Sequence, residues 1–264
     1  MSHALSYVHP QAKIGKNVII EPFATVHEDV VIGEGSWIGS NVTIMDGARI
    51  GKNCRFFPGA VISAEPQDLK FKGEITTVEI GDNTTVRECV TINRGTKDRY
   101  KTVIGKNCLI QAYSHIAHDC IVGDNCIFSN ASTLAGHITV GDHVVLAGMV
   151  AVHQFCEIGA HAFVTGGSLV RKDIPPYIKV AREPITYAGI NSIGLRRRGF
   201  TNEQITEIQN IYRVLFVRHS NLSKALDLIE AEFKATEIRD EILTFIRNSN
   251  RGVVKGFSQG KPNA

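Results

Sequence analysis

One aliphatic position recurs at every sixth residue from Val8 to Val170. Of the 28 positions in that register, 25 hold Ile, Val, Leu or Phe, and the three exceptions, Asp68, Glu74 and Asp98, are all charged. A strict period of six over so long a span excludes an amphipathic helix and fits short strands joined at turns, as in a parallel β-helix. The other positions of the repeat agree. The residue after the aliphatic one is often glycine, as at Gly15, Gly51 and Gly123, and two residues further on Asn or Gly recurs, as at Asn17, Asn53, Gly95 and Asn125. These residue types tolerate positive φ, so each repeat is expected to turn a corner there.

The register divides the chain. Ten positions run in phase from Val8 to Ile62, and the residues before them are expected to pair into or cap the first coil, because an open solenoid edge invites aggregation. The pattern breaks over residues 63–79, returns at Ile80 without a phase change, and breaks again over 93–102, where Arg94, Lys97, Asp98, Arg99 and Lys101 cluster. Both breaks are expected to be extruded loops, and long loops on a rigid scaffold carry function more often than the scaffold does. Twelve positions then run unbroken from Ile104 to Val170, until Asp173-Ile174-Pro175-Pro176-Tyr177 ends the β-helix, since proline cannot donate to a ladder. The remainder reads as a small α-helical domain of about three helices. Thr201 with Gln204 three residues later resembles a capping box before the stripe Ile205, Ile208, Ile211, Tyr212, Leu215 and Phe216, and weaker patterns start near Ser223 and Thr236. From Arg251 the chain reads as a frayed tail. The expected division is 1–182 for the β-helix and 183–264 for the helical domain.

Composition excludes several function classes. A net charge of +3 is too small to argue for nucleic acid, and no aromatic residues are interleaved around the local patch Arg196-Arg197-Arg198 to stack bases. That patch could meet an acidic partner. Five of the six cysteines, Cys54, Cys108, Cys120, Cys126 and Cys156, fall at one repeat position where Val, Ala and Ser stand elsewhere, so they read as small buried residues, with no CxxC pair. A reduced cytoplasm is the consistent compartment. Neither a signal peptide nor a run of 18 apolar residues is present, so no membrane span is expected.

Residues eighteen apart should stack on neighbouring coils, about 4.8 Å apart. This aligns Ala117-His118-Asp119 with Ala135-Gly136-His137 and with His153-Gln154-Phe155, crowding imidazoles, a carboxylate and an amide onto one edge. His143 and His161 stand where Asn or Gly otherwise sits and read as corner residues; His137 shares that position but has chemical neighbours. His118 occupies the third position, elsewhere filled by exposed Lys, Glu, Asp or Ser, so the fold does not require it. The adjacent Asp119 could take the imidazole proton and hold its tautomer, as a general base requires, or could be one more surface carboxylate.

The segments Ile-Ala-His-Asp-Cys at 116–120, Thr-Leu-Ala-Gly-His at 133–137, Ala-Val-His-Gln-Phe at 151–155 and Arg-Arg-Gly-Phe at 197–200 resemble the UDP-N-acetylglucosamine 3-O-acyltransferase family, together with the Gln-Asp-Leu-Lys loop at 67–70. The resemblance implies a left-handed parallel β-helix of three repeats per coil with a C-terminal helical domain. It also implies a cytoplasmic homotrimer with sites between subunits, which moves a 3-hydroxyacyl chain from acyl carrier protein to the 3-hydroxyl of UDP-N-acetylglucosamine as the first step of lipid A synthesis, without a cofactor or metal. On this resemblance His118 is the general base, Asp119 orients it, and the Gly136 N–H stabilises the oxyanion. Asp68 and Lys70 contact the nucleotide sugar. His115, His137, His153, Gln154, Asn191 and Arg197 shape its site and the acyl groove, and Arg198 assists at the phosphates or the carrier protein. Gly166, at the position that sets acyl length, leaves room for a long chain. Ile193 departs from the pattern, because a Glu is expected there.

Two rivals share the solenoid. One is an N-acyltransferase acting on a UDP-amino sugar, whose chains carry an extra N-terminal domain. The other is a zinc hydratase, for which His115, His118 and His137 would be the candidate ligands.

Overall fold

The computed structural model describes residues 2–218 and 221–256. Its first part is a three-sided prism. A nine-stranded sheet runs from Tyr7–Val8 to Leu169–Val170, an eight-stranded sheet from Lys13–Ile14 to Glu157–Ile158, and a ten-stranded sheet begins at Ile19–Ile20. Most strands hold only two residues, one facing inward and one outward, and every pairing is parallel until Ile178–Ala181 meets Thr186–Ile190 antiparallel. The aliphatic register forms the core: Ile38, Ile44, Ile62, Ile92, Ile110, Ile116 and Leu134 are fully buried. Each such side chain contributes about 1.5–3 kcal/mol of burial free energy before the ordering of its coil is set against it.

Strand register explains why the repeat keeps its phase across the two breaks. Ordinary coils pair residues eighteen apart, as in His115↔Thr133. Across the first break Val61 pairs Thr91, thirty apart, and across the second Thr91 pairs His115, twenty-four apart. The excess over eighteen is therefore twelve and six residues, two whole repeats and then one. Asp68 and Glu74 are the register positions of the first insertion and Asp98 that of the second, which is why these three alone are charged. The strands Val61–Ala64, Thr77–Ile80, Thr91–Asn93 and Lys101–Ile104 trim the loops to 65–76 and 94–100.

The corner position behaves largely as its residue types require. Asn17, Asn53, Asn125, His137, His143 and His161 all take φ between 54° and 63°. Gly95 is an exception to the expected turn: the inserted repeat moves the positive φ to Tyr100, at 57°, and a Cβ on Gly95 would instead run into the Lys101 backbone. The five in-register cysteines are buried, whereas Cys89 sits exposed at a corner. At the start of the chain Ser2 bridges Ile20 and the His3 N–H donates to the Ile20 carbonyl, which ties the first residues to the first coil.

Among the described residues four α-helices follow, rather than three: α1 (Ser192–Arg197), α2 (Asn202–Arg213), α3 (Leu222–Glu232) and α4 (Glu237–Asn248), with a π-helical turn Val214–Arg218 after α2. The short α1, six residues with a glycine at 194, carries too little periodicity to be read from sequence. The Thr201–Gln204 capping box is formed in both directions, and Asn221 and Thr236 cap α3 and α4. Buried Tyr212 donates to the Pro176 carbonyl at 2.6 Å, fastening α2 to the end of the prism. The expectation of a frayed tail from Arg251 is corrected for the described part. Val253 bridges Asp173 and Lys255 bridges Thr186, because the strand end at Asp173 and the hairpin at Thr186 offer free backbone groups. Residues 257–264 lie outside the described residues.

Candidate active site

At one edge of the prism the nine-stranded sheet turns into the eight-stranded one. Both loops leave from this edge, and the next three turns along it are residues 117–120, 135–138 and 153–156. The chain therefore delivers His118, Asp119, Gly136, His137, His153 and Gln154 to consecutive coils, as the eighteen-residue spacing requires.

Asp119 is completely buried and is the most heavily bonded side chain at this edge. Its Oδ1 accepts from the backbone N–H groups of Thr96 at 3.0 Å and Arg99 at 3.1 Å. Its Oδ2 accepts from Thr96 Oγ1 at 2.7 Å and lies 2.8 Å from His118 Nδ1. Burial alone would push this carboxyl up, but the hydrogen bonds from His118, Thr96 and Arg99 outweigh it and hold the pKa down at about 2. An ionised carboxylate can only accept, so His118 Nδ1 carries a proton, and in the neutral ring Nε2 presents a lone pair.

The expectation that His118 occupies an exposed position is corrected: its side chain is 12 % exposed. The second loop folds down over this corner instead of standing in solvent. Arg99 Nη1 also donates to the Asp119 carbonyl at 3.0 Å and to Thr139 Oγ1 at 3.3 Å, pinning the loop across the sheet. Thr96, Asp98 and Arg99 thus belong to the site, and sequence reasoning assigned them no part in it. A signal existed in Asp98, which fills a register position otherwise aliphatic.

The next coil brings Gly136 against the imidazole. A Cβ at Gly136 would lie 2.6 Å from His118 Cε1 and 2.8 Å from its Nε2, so only glycine permits this approach. His137 follows, with Nδ1 2.9 Å from Asp98 Oδ2 and 3.9 Å from Asp119 Oδ2. Its ring meets His118 edge to face, centroids 4.9 Å apart, and stacks on Phe155 at 4.5 Å. His115 lies just before the turn with Nδ1 2.7 Å from Thr91 Oγ1, and burial followed by the neighbouring His118 pushes its imidazole pKa down. His153 and Gln154 are exposed, and the Arg251 guanidinium comes within 3.2 Å of His153 Nδ1.

The remaining candidates lie elsewhere on the same chain. Asp68 and Lys70 sit on the first loop, where Asp68 Oδ1 accepts from the Lys70 N–H at 2.9 Å. Asn191, Arg197 and Arg198 belong to the helical part, beside the corner between the eight- and ten-stranded sheets. There Asn191 caps α1 and donates to the His161 carbonyl at 2.9 Å, so its amide is already engaged. Arg198 is partly buried with Nη1 unpartnered, and Arg197 and Ile193 are exposed. Gly166 is exposed at the third corner, where a Cβ would reach the Gly148 carbonyl at 3.1 Å.

His118, Asp119 and His137 offer three ligand atoms within 4.8 Å of one another. Their spacing is that of hydrogen bonds: ligands about 2.0–2.2 Å from one tetrahedral zinc stand roughly 3.4 Å apart, farther than the 2.8 Å between His118 Nδ1 and Asp119 Oδ2. His115 does not join this cluster among the described residues. The arrangement can accept a proton at His118 Nε2 from a hydroxyl and offer a backbone N–H beside it.

A prism of six-residue repeats with a carboxylate-held imidazole at one corner defines a hexapeptide-repeat transferase, and the family described as bacterial transferase hexapeptide matches residues 29–64 and 101–136. A second family, described as "Udp N-acetylglucosamine O-acyltransferase; Domain 2", matches residues 173–254. The acyl-[acyl-carrier-protein]–UDP-N-acetylglucosamine O-acyltransferase of Chlorobium phaeobacteroides is 58 % identical over 251 residues, 95 % of each chain. That of a Sulfurihydrogenibium species is 53 % identical over 98 % of this chain and 96 % of its own. Among solved structures, the UDP-N-acetylglucosamine acyltransferase of Bacteroides fragilis superposes with a TM-score of 0.95 at 49 % identity, covering 97 % of this chain and 100 % of that one. The Francisella novicida enzyme does so at 0.93 and 41 %, covering 97 % and 94 %. The chain belongs to the UDP-N-acetylglucosamine O-acyltransferase family, and its prism is a left-handed parallel β-helix.

Proposed function

We propose that this chain's corner of His118, Asp119 and Gly136 carries out the family's acyl transfer. The enzyme moves an acyl chain from acyl carrier protein to UDP-N-acetylglucosamine in lipid A synthesis. The observation that carries the assignment of roles is the His118–Asp119 pair, which turns Nε2 toward a glycine backbone with Nδ1 held by the carboxylate. His118 takes the proton from the sugar 3-hydroxyl as its oxygen attacks the thioester carbonyl, Asp119 stabilises the imidazolium formed, and the Gly136 N–H donates a hydrogen bond to the oxyanion. Collapse expels the carrier thiolate, which takes from His118 the proton that left the sugar hydroxyl.

Asp68 and Lys70 reach the nucleotide sugar, with His115, His137, His153 and Gln154 around it, and Gly166 leaves the acyl groove open. Asn191, Arg197 and Arg198 stand at a different corner from His118, which supports a site completed by a neighbouring subunit in a homotrimer. The prism of residues 1–182 then supplies the chemistry, and residues 183–264 help meet the acidic carrier. No helix among the described residues is long and apolar enough to cross a membrane; we place the enzyme in the cytoplasm, where both substrates are made.

Purified protein incubated with UDP-N-acetylglucosamine and a panel of 3-hydroxyacyl carrier thioesters should yield a 3-O-acylated sugar nucleotide by mass spectrometry, with one chain length preferred. Absence of product with every thioester would sink the reading. Sedimentation should give a trimer, and a stable active monomer would contradict the shared site.

A further inference from the structure

The second loop reaches the site at two points. Thr96 and Arg99 serve Asp119, whereas Asp98 reaches past them to the other imidazole, His137, on the next coil. That ring is fixed on several sides. Its backbone N–H donates to the His118 carbonyl at 3.1 Å, one face stacks on Phe155 at an interplanar angle of 11°, and His118 meets it at 88°. Nδ1 faces Asp98 Oδ2 at 2.9 Å, with Asp119 Oδ2 at 3.9 Å behind it. Nε2 has no partner among the described residues and is not sealed in the interior.

We propose that Asp98 is a positioning residue for His137, a carboxylate that keeps the proton on Nδ1 and so presents Nε2 as a hydrogen-bond acceptor to a donor group on the sugar nucleotide. The inference rests on the function proposed above. Its logic is the one that sets the His118 tautomer: a ring nitrogen facing a carboxylate must donate, which makes the other nitrogen an acceptor when the ring is neutral. The two pairs differ in burial. Asp119 is fully enclosed, whereas the Asp98 side chain is 58 % exposed. An ion pair so open to solvent contributes little to folding stability. Orientation of His137 can therefore be separated from stability, which is not possible for Asp119.

The test compares full-length Asp98→Ala and Asp98→Glu with the wild type, using UDP-N-acetylglucosamine and an acyl carrier thioester. Loss of one net hydrogen bond to the substrate corresponds to roughly tenfold, so Asp98→Ala should lower kcat/KM for the sugar nucleotide by ~10-fold. The KM for the thioester and the melting temperature should stay the same, and Asp98→Glu should restore most of the loss. In ¹⁵N spectra of histidine-labelled protein, the His137 signal, assigned with His137→Gln, should show protonated Nδ1 in the wild type and a tautomer mixture in Asp98→Ala. Unchanged kinetics, or a loss tracking a lower melting temperature and not rescued by Glu, would overturn the proposal. If the wild type transfers no acyl group, the function reading fails separately, and the ¹⁵N pattern still decides the tautomer.

Discussion

Two corners of the prism carry histidine at the same repeat position with the same left-handed backbone. At one, His143, His161 and Tyr177 stack face to face, with centroids 4.8 and 5.5 Å apart. At the other, His137 stacks on Phe155 but turns its Nδ1 to a carboxylate. His161 Nδ1 is buried without a partner, and burial, then His143 and Arg198, push its pKa down to about 4. That ring is a neutral aromatic spacer. The repeat position fixes only φ; what sets the other corner apart is the inserted repeat, which brings Thr96 and Arg99 onto Asp119 and Asp98 onto His137.

The sharpest way to break this contrast is Asp119→Asn. All four groups facing the carboxylate can donate, so an amide must set its NH₂ against donors or turn it to His118 and force the proton onto Nε2. Turnover should fall by about 10²- to 10⁴-fold, the range of a lost general base. Steady-state kinetics on folded protein checks this, and near-normal turnover would contradict it.

Gly136→Ala should come next. The new methyl must displace the imidazole it would otherwise touch, and a misplacement of about 1 Å can cost ~10²-fold. The variant should bind UDP-N-acetylglucosamine nearly as well as wild type by calorimetry while turning over poorly; equal activity would mean that the ring does not need its place.

The period of six made the strands, their register, the buried column and the alignment of His118 with Gly136 legible, because each depends on contacts between neighbouring coils that repeat with the sequence. The two insertions were legible as interruptions, yet their landing places were not. Whether Thr96 bonds Asp119 or points to solvent is decided by tertiary contacts that leave no periodic trace, and this hid the burial of His118. The return of residues 251–256 to Asp173 and Thr186 escaped for the same reason, since a short bridge between distant segments has no local signature. Of the residues the second loop sets against the site, Asp98 announced itself, as a charge where the register wanted an aliphatic side chain.

At the quiet corner, His161→Phe should leave turnover within about 3-fold of wild type, as expected for a substitution that keeps size and stacking and removes no reacting group. Its effect should appear in acid. The folded pKa of about 4 lies below the ordinary 6.5, so between these values the unfolded chain binds more protons, and stability present above pH 6.5 is lost as pH falls toward 4. Removing the imidazole should flatten thermal stability over that window. A slope identical to wild type would show that His161 is not held neutral.

The central claim is that His118 Nε2 takes the proton of the attacking hydroxyl. Single-turnover transfer by His118→Ala, measured alongside UDP-N-acetylglucosamine binding, tests it most directly. The account predicts a folded protein that binds the sugar nucleotide and transfers acyl about 10²- to 10⁴-fold more slowly. Transfer at the wild-type rate would contradict it.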